Sequence, residues 1–238
     1  MTELVIACEM LEDEIREAMR QTGRDLPISW IDRGLHEYPE RLREMLLTRI
    51  KEAGDVDVIM LTFALCGGAL SGIYSERAKL VIPLFDDCIH MLKSPCTGNR
   101  GEVDCRTLYF TGGWLKSERF IYKDYLKCCE RYGKKTAQRV YREILKNYRT
   151  FELMDTQSYA LEAFLPQAET AADELKLTLE TGTGSLRVLK KLFSGDWDEE
   201  FLVVQPGERI TMEQFIFAGR QAQPDADTVQ ASAQNNET

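Results

Sequence analysis

Apolar and polar positions fall in blocks along this chain, and the blocks predict most of its architecture. Short continuous apolar runs stand at Glu3 to Ala7, Leu26 to Ile31, Val56 to Thr62 and Lys79 to Pro83. Runs of this length, without alternation, read as strands buried on both faces. Between them, apolar residues recur at helical spacing. Over 9–21 these are Met10, Leu11, Ile15, Ala18 and Met19, and Gly23 supplies the stop. Pro39 suits the first turn of a second helix that reaches about Ala53. Strand and helix in alternation predict a Rossmann-like α/β fold, a mostly parallel sheet with helices on both faces.

From Ser94 the pattern changes. Residues 94–106 are rich in Gly, Pro, Cys and charge and read as a long loop. Strands are expected at Thr107 to Phe110, Phe151 to Met154, Leu175 to Leu179 and Phe201 to Val204. Helices are expected over 117–132, 135–148, 158–174 and 185–193, the third broken at Pro166. Residues 218–238 are polar without an apolar period and read as a disordered tail. The chain therefore divides into a first α/β lobe, 1–93, and a second α/β lobe or extension of the same sheet, 94–217.

Composition narrows the function. A net charge of −9 argues against a protein that coats nucleic acid or an anionic membrane. No apolar run approaches the roughly 20 residues that cross a bilayer. The N-terminus turns acidic straight after a short apolar run and lacks the basic start of a signal peptide, which implies a soluble cytoplasmic protein. Seven cysteines, an odd number with no CxxC pair, spell neither a disulfide framework, a zinc ribbon nor a ferredoxin-type cluster. Two histidines, His36 and His90, exclude a histidine-rich metal site.

What remains is a pattern of thiols. Cys8, Cys66 and Cys88 each follow a predicted strand of the first lobe. Open α/β sheets bind ligands beyond the carboxyl ends of their strands, so parallel strands would gather these three at one edge. The ordinary alternative is three cysteines packed as small hydrophobes. Equivalent positions after three strands favour a site, with Cys8, Cys66 and Cys88 as metal ligands. Gly67 and Gly68 would let a cofactor approach the backbone. Asp86 and Asp87 beside Cys88 would raise its pKa unless a cation is bound. Three thiolates suit zinc with a fourth, exchangeable ligand, or an iron–sulfur cluster with one open iron. Glu9, Asp86 and His36, which follows the second strand, are candidate catalytic groups that move protons, with His36 also a candidate fourth ligand. His90 fits either role.

Other signals are weaker. Cys128 and Cys129 are adjacent in a predicted helix and point about 100° apart, so they read as packing. Cys96 and Cys105 flank a loop and could form a second thiol pair, though a mobile loop is the plainer reading. Thr181-Gly182-Thr183-Gly184-Ser185 resembles neither phosphate-binding motif, and a plain N-cap at Thr183 or Ser185 explains it better.

Several segments together resemble the domain of unknown function 1638 family, found mainly in methanogens and anaerobic bacteria. They are ACEMLEDE (7–14), LHEYPERL (35–42), LCGGALSG (65–72), LVIPLFDDCI (80–89), FTGGW (110–114), RYGKKTA (131–137) and FSGDWDEEFLVVQPG (193–207). The family pattern usually reads Pro-Arg-Ala-His-Asp-Cys where this chain has Pro83-Leu84-Phe85-Asp86-Asp87-Cys88, so Asp86 replaces a histidine. Members are often encoded near corrinoid-dependent methyltransferases, so the resemblance implies a role in one-carbon metabolism. Two readings follow. One is a metal-dependent, methyltransferase-like enzyme acting on a small molecule or a corrinoid protein. The other is an accessory protein that binds a metal, cluster or corrinoid for a partner methyltransferase.

Overall fold

Burial on both faces is what makes the first strands continuous apolar runs. In the computed structural model, which describes residues 1–99 and 101–215 without the side chains of His36 and Glu37, eight strands form two sheets. Strands β1 (Glu3–Cys8), β2 (Ile28–Ile31), β3 (Val58–Leu61), β4 (Lys79–Pro83) and β8 (Phe201–Val204) lie in the order β2-β1-β3-β4-β8. The first four are parallel, and β8 returns from the far end of the chain to pair antiparallel with β4. Alternate residues of β1 serve different layers. Val5 and Ala7 pack with Ile15 and Met19 of α1 (Glu12–Thr22) and with Leu189 and Phe193 of α8 (Arg187–Ser194). Ile6 and Cys8 pack on the other side with Leu42, Leu46 and Ile50 of α2 (Pro39–Glu52). Each fully buried Val, Ile, Leu or Phe among them contributes about 1.5–3 kcal/mol. The fold is α/β with helices on both faces, as the pattern predicts.

The second sheet is smaller. Strands β5 (Thr107–Phe110), β6 (Thr150–Asp155) and β7 (Thr178–Thr183) are all parallel, in chain order. Phe110 stacks on Phe151 at 4.3 Å. Both pack with Leu115 of α4 (Gly112–Lys116) and with Ala168, Ala171 and Ala172 of α7 (Leu165–Leu175). Outside them lie α5 (Ile121–Tyr132) and α6 (Lys134–Ile144), joined at Gly133 and sharing the Tyr125–Tyr141 ring contact at 5.3 Å. The two sheets meet at Gly113, where an added Cβ would stand 2.0 Å from the Met10 carbonyl oxygen. Only glycine fits there.

Four boundaries differ from expectation. Strand β7 runs to Thr183, so Thr181 and Gly182 are strand rather than helix entry. The α8 entry is instead tied by the Arg187 N–H donating to Ser185 Oγ at 3.2 Å. Pro166 sits in the first turn of α7, where no backbone N–H is needed, so it starts the helix instead of breaking it. The helix expected from 117 begins at Ile121, because buried Phe120 anchors an extended entry. Cys88 opens a short helix, α3 (Cys88–Lys93), that the apolar pattern does not announce. The expected tail at 218–238 lies outside the described residues. Among the described residues no helix is long and apolar enough to cross a membrane.

Candidate functional site

Strands β1, β3 and β4 are adjacent and in parallel register, so their carboxyl ends open at one edge. Cys8 is the last residue of β1, Cys66 lies in the loop after β3, and Cys88 opens α3 after β4. All three line a single cavity of about 630 Å³. They also sense one another. Burial pushes the Cys8 thiol up to about 11 and the Cys66 thiol up to about 12. Proximity to Cys8 adds to the rise at Cys66. Cys88 is driven up most strongly by burial, then by Cys66, Asp87, Cys8 and Glu14. At neutral pH all three are therefore protonated unless a positive charge joins them.

The backbone at Cys66 is bent to reach this cavity. Cys66, Gly67 and Gly68 have φ values of 44°, 66° and 88°, three left-handed residues in succession. For a cysteine this costs roughly 1–3 kcal/mol, and such strain clusters at functional sites. The loop is tied to the one after β4, with the Leu65 N–H donating to Phe85 O at 3.0 Å and the Cys66 N–H to Asp86 O at 3.3 Å. Gly67 lines the cavity, whereas Gly68 faces the Met212 sulfur instead.

The two aspartates part company. Asp86 is exposed and forms no part of the cavity wall. Asp87 lines it, caps α3 by accepting from the His90 N–H at 2.9 Å, and meets His90 Nδ1 at 2.8 Å. Burial opposes its ionisation, yet these bonds hold the Asp87 carboxyl below the usual range. Glu9 stands just beyond Cys8, off the cavity wall and 3.8 Å from Arg33 Nε. His36 lies in the turn Arg33–Glu37 after β2, and only its backbone is described. Among the described residues no group of three or more His, Cys, Asp or Glu is drawn together closely enough to hold a metal ion. The three thiols share a cavity and suit zinc as a donor set, but they do not form a closed shell as they stand.

Several site residues escape the sequence pattern. Tyr109 and Phe110 of β5, Trp114 of α4, Tyr148 and Cys105 wall the cavity from the second half of the chain. Glu14 is fully buried behind Cys88, with Thr156 Oγ1 donating to Oε1 at 3.1 Å and Oε2 without a hydrogen-bond partner. Burial pushes its carboxyl up to about 7. A signal for it exists, since Leu11, Glu14, Ile15 and Ala18 share one helical stripe. Cys96 is exposed and off the wall, and Cys128 and Cys129 pack beside Tyr125, as expected.

One family profile, described as Protein of unknown function (DUF1638), matches residues 30–193. The chain belongs to this family. The DUF1638 match begins in β2 and ends in α8, so it takes in Cys66, Cys88 and the second sheet, with Cys8 before its start. No curated protein and no solved structure matches the chain.

Proposed function

We propose that this DUF1638 protein carries a metal–thiolate centre on Cys8, Cys66 and Cys88, with zinc the metal its donors suit best. The cavity beside it would serve methyl transfer in corrinoid-linked one-carbon metabolism. One observation carries the site: three thiols from three adjacent parallel strand ends open into one cavity. When bound, zinc would stabilise thiolates and supply Lewis acidity. Burial makes three uncompensated thiolates unfavourable there, so a bound cation would have to compensate them. Asp87 orients His90 at the cavity wall, which leaves that imidazole poised for proton transfer. The methyl-transfer part rests on the family resemblance.

The exposed Cys105 at the cavity wall supports a second reading. A thiol at the rim suits an accessory protein that passes a metal, iron–sulfur cluster or corrinoid to a partner methyltransferase. Metal analysis of protein purified without oxygen decides between them. About one zinc per chain, lost in Cys66→Ala and Cys88→Ala, is the expected result, and iron with sulfide would favour a cluster. Neither metal, with both variants unaltered in their properties, would end the metal-site reading.

A further inference from the structure

The cavity around the thiols is defined by what it lacks. The chain has 30 Lys and Arg residues, yet no described wall residue of this cavity is Lys or Arg. Five aromatic rings line it instead: Phe63, Tyr109, Phe110, Trp114 and Tyr148. Two carboxylates, Asp87 and Asp104, join them, together with the His90 imidazole that meets Asp87 at 2.8 Å. The described cations nearby already hold carboxylate partners, Arg106 on the wall's own Asp104. Arg33 faces Glu9 at 3.8 Å and Glu12 at 4.0 Å. Lys93 stands 5.3 Å over the Tyr109 ring with its charge on Glu152 at 2.8 Å. Arg106 pairs with Asp104 at 2.9 Å, and with Lys146 and Arg149 it lines a separate recess that meets this cavity at Cys105 and Tyr148.

These walls select among ligands. An anion would meet the carboxylates, with no Lys or Arg among the described wall residues to answer it. A neutral apolar molecule would strip water from Asp87 and the thiols and return nothing. A compact cation such as ammonium would lose hydrogen bonds that rings cannot replace. A cation whose charge is spread over methyl groups needs no hydrogen bonds, fills apolar space and is drawn to ring faces. From this we infer that the cavity binds a methylated onium, a quaternary ammonium or tertiary sulfonium, through the ring wall and Asp87. The volume of about 630 Å³ accommodates such a headgroup with a further substituent. As a ligand the onium depends on the walls alone; as the methyl donor it rests on the methyl-transfer reading above. In that role a thiolate acceptor forms a sulfur–carbon bond with the methyl group. The carbon–nitrogen or carbon–sulfur bond breaks, and its electron pair leaves with the neutral amine or sulfide.

The test is calorimetric titration of the full chain, with and without added zinc. The probes are tetramethylammonium, trimethylsulfonium, choline, and 3,3-dimethylbutan-1-ol as the neutral isostere of choline. Choline should bind roughly tenfold tighter than its isostere. Tyr109→Leu and Tyr148→Leu should each remove most of that preference while zinc content and the melting temperature hold. Tetramethylammonium against trimethylsulfonium tells which onium the walls prefer. Equal binding of choline and its isostere, or no saturable onium binding in either metal state, overturns the inference. Because zinc content is read separately, a protein that binds onium but takes up no zinc fails the metal reading alone.

Discussion

Both sheets are parallel, yet their carboxyl edges end in different chemistry. In the larger sheet β1, β3 and β4 lead to Cys8, Cys66 and Cys88. In the smaller one β5 leads to Thr111, β6 to Thr156 and β7 to Gly184, whose N–H donates to Asp155 O at 2.8 Å. These close the edge with hydroxyl and backbone packing rather than reactive groups. The smaller sheet contributes shape instead, through Tyr109 and Phe110 on the cavity wall. Charge divides in the same way. Residues 116–149 carry eleven Lys or Arg against four Asp or Glu, a net +7, so the remainder of the chain carries −16. Seven of those eleven cations lie on α5 and α6, and none of the seven stands on the cavity wall. One sheet thus supplies donors and the other supplies a wall, and the site exists only where they join.

The sharpest way to break that arrangement is at the joint. Gly113→Ala forces a Cβ to within 2.0 Å of the Met10 carbonyl oxygen, backbone against backbone. The expected loss is about 3 kcal/mol or more by urea unfolding. It should come with loss of the Trp114 fluorescence environment. A loss under about 1 kcal/mol would mean the sheets are loosely docked, and the shared-wall account would fall.

Next in size is the carboxyl buried behind Cys88. Glu14 holds its proton in the folded chain up to about pH 7, whereas an unfolded glutamate gives it up near 4.5. Below pH 4.5 both states are protonated and the group costs nothing. Between these values the unfolded state ionises first, so stability falls as pH rises, and the full penalty stands above about 7. Glu14→Gln should therefore match the wild type at pH 4 and exceed it at pH 8, by on the order of 3 kcal/mol in denaturant midpoints converted to free energy. A gap that does not change with pH would show that Glu14 is not held neutral in the fold.

A smaller effect is expected where α8 is tied to the entry of β8. Glu200 is nearly buried and accepts from Arg187 at 2.5 and 2.7 Å and from Lys191 at 2.9 Å. Burial opposes its ionisation, but those two cations hold the carboxyl below the usual range. Arg187→Met leaves the charge with one partner and should cost about 2 kcal/mol near neutral pH. The clamp's contribution is complete above the ordinary glutamate range and is lost as pH falls through the lowered value. The wild-type advantage should therefore shrink in acid titrations.

How much of this was legible in the residues follows from what each signal measures. Strands β1, β3 and β4 could be read because burial on both faces leaves unbroken apolar runs. The thiol trio could be read because strand ends converge by topology. The aromatic wall could not, since Tyr109, Trp114 and Tyr148 arrive by docking of one sheet on another, and no periodicity records docking. Strand β7 was misjudged at Gly182 because glycine reads as a break. Here its missing Cβ makes room for Glu152, whose Oε1 would stand 2.0 Å away. Between Asp86 and Asp87 the choice depended on which carboxylate caps α3, a matter of turn geometry that spacing does not reveal.

The smallest effect tests the far side of the comparison. Ile144 on α6 is 56 % exposed, and the helical pair that carries it contributes little to either core cluster of the larger sheet. Ile144→Lys removes an apolar side chain from solvent and adds charge to a surface already basic. Its stability change should stay within about 0.5 kcal/mol, because the side chain is not among the buried contacts of α6, which centre on Ala137. Onium titration of this variant should match the wild type, since the added charge stands on the outer helices and no wall residue is altered. A marked weakening would place the basic helices within electrical reach of the cavity and erase the division between donor sheet and basic surface. Repeating the titration at raised salt separates the two cases, because an effect carried through solvent shrinks as the screening length shortens toward a few ångströms.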